Sequence, residues 1–283
     1  FISIKINNKI KFHMKNKELF SSYIKGFISY YRGMPIKTFP KCNLYYVKCI
    51  MEPYQYKCYN EILKSEKKIY KKTNDVMYFP NNFFISSRIV SNIAYPFQLR
   101  GLEGYKSFNN NIKNNLELKK YSKKFYKLIR KINKCKGKIF IYSNFLEYGG
   151  IKPLIKILEI NGYIEYTKNK NPRQNRCYFA VWSGNETMEK KNEIKYQFNT
   201  RDSKLRILLG SPAIKEGVNL LRVQQVHILE PYWNMSRIIQ IIGRAVRYCS
   251  HKDLPVNQRY VDVFMYIAYR PNENKNNNSN KLL

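Results

Sequence analysis

The chain has 283 residues, more than one average domain, and 44% of them are hydrophobic, enough for a substantial core. Lys and Arg number 52 against 19 Asp and Glu, a net charge of +33 that favours polyanionic partners, nucleic acid first, through phosphate contacts and counterion release. A second source of lysine is also open, because Lys, Asn, Ile, Tyr and Phe are all abundant and all have AT-rich codons.

No apolar run approaches a membrane span and Phe1-Ile-Ser-Ile-Lys5 lacks a secretory core, so an intracellular protein is expected. The six Cys form no Cys-x-x-Cys pair, which suits reduced, buried thiols; the spacing of Cys42, Cys49 and Cys58 fits no common zinc motif, so no metal site is expected.

In chain order, Tyr23 to Tyr31 reads as a helix, Asn43 to Met51 as a strand and Tyr54 to Tyr70 as a basic helix with interleaved aromatics. Phe79 to Gly104, broken by Pro80, Pro96 and Gly101, reads as irregular, and Asn109 to Asn115 as a mobile link. From Tyr121 the pattern becomes regular. Phe125, Leu128, Ile129 and Ile132 have helical spacing, Lys138 to Tyr142 is a strand, Pro153 to Ile160 a helix, Cys177 to Trp182 a strand and Glu186 to Phe198 a charged helix. Leu205 to Leu209, Val226 to Leu229 and Tyr260 to Ile267 read as further strands, His227 as a packed residue, and the Asn- and Lys-rich tail as disordered. Strands alternating with helices imply an α/β fold with a parallel sheet covered on both faces. The expected division is an irregular, mainly helical region over 1–118, the α/β domain over 119–270 and a tail over 271–283.

Two motifs carry chemistry. In Gln240-Ile-Ile-Gly-Arg-Ala-Val-Arg247, Gln240, Arg244 and Arg247 have the spacing of one helical face, and Ile238, Ile239, Ile241, Ile242 and Val246 would seat that helix on the core. A guanidinium is planar, permanently charged and bidentate, which suits phosphate oxygens. Upstream, Ser211-Pro-Ala-Ile-Lys-Glu-Gly-Val-Asn-Leu220 follows a strand directly. Arg222, just beyond it, is expected to tolerate replacement.

Strand, Gly-containing turn, strand, the polar loop with Trp233-Asn234 and the Arg helix resemble the second RecA-like domain of superfamily-two helicases and translocases. Glu216 to Asn219 is similar to motif five of that superfamily, Gln240 to Arg247 to motif six. His227-Ile-Leu-Glu-Pro-Tyr-Trp-Asn-Met-Ser236, Ser250 to Pro255, Tyr121 to Phe125, Ile141 to Phe145 with Gly149 to Ile151, and Tyr31 to Pro35 look most like large-DNA-virus ATPases of the poxvirus nucleoside triphosphate phosphohydrolase I and early transcription factor type.

The resemblance implies a RecA-like lobe contributing to an ATP site: Arg244 and Arg247 reaching the γ-phosphate, Gln240 orienting them, Gly217 and Asn219 close to the nucleotide. It places Ser143, Asn144, Ser211 and Lys215 on the nucleic-acid backbone, although Ser143 and Asn144 equally suit a helix cap. A phosphate loop and an Asp-Glu pair are absent: Gly137-Lys138 has no Gly at the required upstream position, and Asp75, Asp202, Asp253 and Asp262 are never followed by Glu. The chain is therefore expected to be part of a longer or split motor whose N-terminal lobe, in cis or in trans, holds Mg²⁺ and the phosphates. Nucleic acid, DNA before RNA, and a viral RNA polymerase are the implied partners, in the virion and host cytoplasm. A non-catalytic module binding nucleic acid or polymerase is the alternative.

Overall fold

The computed structural model describes residues 2–6, 9–13, 15–25, 38–72, 84–111, 114–167, 177–215, 218–232 and 234–271. These fall into two compact units, residues 1–37 and 38–283. In the first unit, strands β1 (Ile2–Ile6) and β2 (Lys9–His13) pair antiparallel, from Ile2 opposite His13 to Ile6 opposite Lys9. Helix α1 (Lys17–Ile24) follows and buries none of its residues. It begins earlier than the helix expected from Tyr23, whose remaining residues, 26–31, lie outside the described ones.

The second unit is built on a seven-stranded sheet. Its strands are β3 (Lys41–Ile50), β4 (Lys138–Tyr142), β5 (Ile164–Glu165), β6 (Tyr178–Trp182), β7 (Leu205–Gly210), β8 (Val223–Ile228) and β9 (Tyr260–Tyr269). They lie in the order β3-β9-β8-β4-β7-β6-β5, and every neighbouring pair is parallel.

Successive side chains of a strand point to opposite faces, and here both faces are apolar, as a sheet buried on two sides requires. Ile139, Ile141, Phe179, Val181, Ile207 and Leu209 meet helices α6 (Lys123–Ile132) and α7 (Ile151–Ile160) through Phe125, Leu128, Leu154 and Ile157. Phe140, Tyr142, Ala180, Trp182, Leu208 and Val226 meet α8 (Met188–Asn199) and α9 (Met235–Ile242) through Ile194, Phe198, Ile238 and Ile241. Each such aliphatic or aromatic side chain contributes about 1.5–3 kcal/mol by burial. The expected parallel sheet with helices on both faces is present.

Residues upstream of 118 enter this same unit. Strand β3 pairs with β9 from Lys41 opposite Tyr260 to Ile50 opposite Tyr269, as an edge of the sheet. Helices α2 (Pro53–Lys72) and α3 (Ile85–Asn92) build a satellite core of Met51, Cys58, Tyr59, Ile62, Leu63, Val90 and Ala94. Helix α3 corrects the irregular reading of this segment: its apolar positions are interrupted by Ser and Arg, so the period was hidden. Of the link expected at Asn109 to Asn115, residues 109–111 and 115 are helical, while 112 and 113 lie outside the described residues. Helix α4 (Gly101–Asn111) runs into it, and Asn114 caps α5 (Asn115–Tyr121) by accepting from Leu116 N at 3.0 Å and Glu117 N at 2.9 Å. Among the described residues no helix is long and apolar enough to cross a membrane, and all six cysteines are free thiols.

Candidate functional site

The two motifs meet, but through a different local structure from the one expected. Helix α9 stops at Ile242, so Gln240 is helical whereas Arg244 lies in a turn and Arg247 in chain without regular structure. Beyond Ile242 the backbone takes partners from outside the helix: Leu220 N donates to the Arg244 carbonyl at 3.0 Å, and the Ser250 hydroxyl donates to the Ala245 carbonyl at 3.1 Å, satisfying acceptors that a helix C-terminus leaves unpaired. Arg244 N and Ala245 N instead close a tighter turn onto Ile241 O and Ile242 O, at 3.2 and 3.0 Å. The apolar girth is also narrower than expected. Ile238 and Ile241 are buried, but Ile239 is 62% exposed.

The result is an interleaved pair of segments. Val218 and Leu220 are buried on either side of exposed Asn219, and buried Ala245 anchors the chain between half-buried Arg244 and exposed Arg247. The Arg247 guanidinium donates to the Asn219 side-chain oxygen. A neutral amide holds it, not a carboxylate, so its charge stays available to an anion. Gln240 is exposed near the end of α9. Gly217 lies outside the described residues.

Arg222, expected to be near neutral for function, has a structural part. It is buried, bonds Asp253 at 2.7 Å and the Asn199 carbonyl, and sits at φ +59°. Asn199 in turn donates to the Asn219 carbonyl at 2.8 Å and accepts from Leu221 N at 2.9 Å. Arg222 thus braces the segment that presents Asn219.

The residues expected on nucleic acid follow the C-terminal ends of β4 and β7, where an open α/β sheet places its ligands. Ser143 is buried; its hydroxyl accepts from Phe145 N at 3.1 Å and donates to Glu230 at 3.0 Å. It closes a turn and caps no helix, since the N-cap of α7 is Gly150. Asn144 is half-buried; its N–H donates to Glu230 at 2.7 Å and its side-chain oxygen accepts from Arg237 at 2.6 Å. Ser211 is buried, accepting from Ala213 N at 3.3 Å. Lys215 ends a short 3₁₀ turn from Pro212, its side chain outside the described part.

Sequence reasoning missed what holds these loops. Lys124 of α6 donates to Ser91 Oγ at 3.3 Å, Asn92 Oδ1 at 2.9 Å and Leu229 O at 3.0 Å, while Asn92 donates to Glu230 and to Gly149 O. Burial lowers the Lys124 pKa and raises that of Glu230, each opposed by the charge of the other. The network walls a cleft of about 590 Å³ between α2, α3 and the ends of β8 and β9. Arg237 lies 4.6 Å from the Tyr232 ring centroid and 3.3 Å from the Tyr142 hydroxyl. A signal existed: Lys124 falls on the buried stripe of α6 with Leu128, and Glu230 ends an apolar strand in a chain poor in acids.

A family model for the helicase conserved C-terminal domain matches residues 122–249. The chain is 45% identical over 278 residues to the "Putative ATP-dependent RNA helicase R563" of Acanthamoeba polyphaga mimivirus, covering 96% of this chain and 48% of that protein. It is 31% identical over 159 residues to nucleoside triphosphatase I of Choristoneura biennis entomopoxvirus, covering 55% of this chain and 22% of that one. The chain thus spans about half, or less, of these curated relatives. The C-terminal part of the Fun30 ATPase domain superposes with a TM-score of 0.56 at 16% identity, over 81% of this chain and 86% of that one, which shows a shared RecA-like fold.

Proposed function

Given that residues 122–249 are a helicase C-terminal domain, the second RecA-like lobe of superfamily two, we propose that this chain supplies half of a composite ATP site in a nucleic-acid-dependent ATPase. The observation that carries this reading is the Arg247–Asn219 bond, backed by the Leu220–Arg244 backbone bond. Together they hold an exposed guanidinium on a rigid core while leaving its charge unneutralised.

Bound ATP with Mg²⁺ supplies the γ-phosphoryl group. Arg247 and Arg244 stabilise the negative charge that builds on that group in the transition state, and Gln240 orients them. By the resemblance, Gly217 and Asn219 belong close to the nucleotide. The donor set here is cationic and amide, suited to phosphate oxygens and not to a cation, which fits Mg²⁺ and the phosphate loop belonging to an N-terminal lobe, in cis or in trans.

On the other side, Asn144 with Arg237 and Lys215 contact the nucleic-acid backbone. Buried Ser143 and Ser211 act by shaping the main chain that faces it. Alternate closing and opening of the two lobes would convert turnover into movement along the strand. By the same reading the chain acts in viral transcription, on DNA before RNA, with viral RNA polymerase as a partner and the virion and host cytoplasm as the place of action; what supports a viral nucleic-acid-dependent ATPase is the likeness to viral proteins named as a putative ATP-dependent RNA helicase and a nucleoside triphosphatase I. A non-catalytic module binding nucleic acid or polymerase would keep the basic surface but leave the Arg247–Asn219 arrangement without a task.

The test is ATP turnover with and without DNA, by this chain alone and with the first lobe supplied. The chain alone is expected to stay at background and the two-lobed protein to be stimulated by DNA; robust DNA-stimulated turnover by the chain alone would overturn the half-site.

A further inference from the structure

All strands of the main sheet run parallel, so the segments that enter β4, β7, β8 and β9 gather at one end, away from the loops that leave β4 and β7. There they line a basin of about 680 Å³. Its lining includes Lys134, Lys136, Lys138, Arg201, Arg206 and Arg222, against a single carboxylate, Asp202.

These six cations divide into two layers. The inner three are fixed by the fold. Lys138 donates to the carbonyls of Phe198 and Thr200, Arg206 to those of Gly137 and Cys135 and to Cys177 Sγ, and Arg222 to Asp253 and the Asn199 carbonyl. Lys138 and Arg206 therefore spend their hydrogen bonds on neutral acceptors, and their charge is not cancelled. Burial, helped by the nearby Arg222 charge, holds the Lys138 pKa down to about 8, so it remains mostly charged at neutral pH. The outer three, Lys134, Lys136 and Arg201, are exposed and form no ion pair among the described residues. A concave wall carrying one sign of charge focuses its field into the opening.

We infer that this basin is a second nucleic-acid contact that grips the phosphodiester backbone of duplex DNA. The inference rests on the nucleic-acid-dependent reading above. Duplex is favoured over single strand because Tyr260 is the one aromatic side chain in the lining, and single-strand binding relies on stacking platforms. The contact is blind to sequence, since cations on phosphates position a duplex without reading its bases.

The experiment measures the affinity of the full chain for a duplex and for a single strand of equal length across a salt titration. It compares wild type with two triple variants, Lys134→Ala/Lys136→Ala/Arg201→Ala in the basin and Lys57→Ala/Lys64→Ala/Lys68→Ala on the exposed side of α2. Each phosphate contact on duplex DNA contributes a slope of about 0.9 in log affinity against log salt. The basin variant is expected to flatten the duplex slope by about 2 to 3 and the α2 variant by less than about 1. Nucleotide affinity, measured alongside with the first lobe supplied, should be equal in all three proteins. Equal flattening by both variants overturns the inference, because composition and not the basin would then set affinity. So does a loss confined to the single strand, or a fall in nucleotide affinity confined to the basin variant. A wild-type chain that binds the single strand but no duplex overturns the inference alone, whereas one that binds neither sinks the broader nucleic-acid reading as well.

Discussion

Arg222 is 8% exposed, ties Asp253 at 2.7 Å to the Asn199 carbonyl, and stands immediately before the strand that carries His227. Replacing it with alanine removes one partner from each of these groups without changing the motif residues. Arg222→Ala should therefore destabilise the fold by about 1–3 kcal/mol in urea unfolding, the usual cost of leaving buried polar groups unpaired; a change below about 0.5 kcal/mol would show that the bracing is idle. His227 supplies a pH signature. It is fully buried between the Tyr266 hydroxyl at 2.9 Å and Gln225 at 3.1 Å, and burial, with a smaller push from Lys131, drives its pKa down to about 3. The unfolded chain takes up this proton near pH 6.5 while the folded chain refuses it, so the stability contributed by neutral His227 is complete above about pH 6.5 and declines as pH falls towards 3. Unfolding free energies between pH 7 and 4 should fall more steeply for wild type than for His227→Gln; parallel curves would show that the folded imidazole does take up a proton in that range. At this scale the motifs pointed to Asn219 and Arg247 by residue type, and the structure brings their side chains together, though not through the helical face that the spacing implied. Lys124, Asn92 and Glu230 were not legible as a set, since α3, α6 and the end of β8 meet only in the folded chain.

Helix α9 shows why element boundaries escape a periodic pattern. Its spacing continues through Arg247, yet after Ile242 the chain tightens into a turn whose carbonyls bond Leu220 and Ser250, partners distant in sequence or outside the pattern. The strands were easier, because β4, β6 and β7 are short apolar runs that a two-faced parallel sheet demands. The position of β3 was not readable: its pattern fits a strand, but only the folded sheet shows that it lies beside β9, more than two hundred residues later. The turn leaving β4 offers a test at this scale. A Cβ on Gly150 would press on the Phe145 carbonyl and the Ser143 hydroxyl, the groups that set the turn beneath Asn144. Gly150→Ala is therefore expected to cost about 1–3 kcal/mol through overpacking against backbone and to weaken DNA binding along with stability. Unchanged thermal unfolding and DNA affinity in that variant would mean the turn relaxes without consequence.

Across the whole molecule, the RecA-like lobe presents two kinds of basic feature: an exposed guanidinium set on the core by the two paired motifs, and the loops and basin at the ends of the sheet. Composition announced the charge and the motifs announced the lobe, but where the cations stand came from the topology that gathers strand starts at one end. The central claim is that the Arg247 position acts on the transition state and not on binding. With both lobes present, Arg247→Ala should lower DNA-stimulated ATP turnover about a thousandfold or more, the scale of an arginine finger. Affinities for nucleotide and DNA should change far less, because the ground state offers the guanidinium little developed charge. Turnover within a few-fold of wild type, in a variant that unfolds like wild type, would contradict the account and favour the binding module.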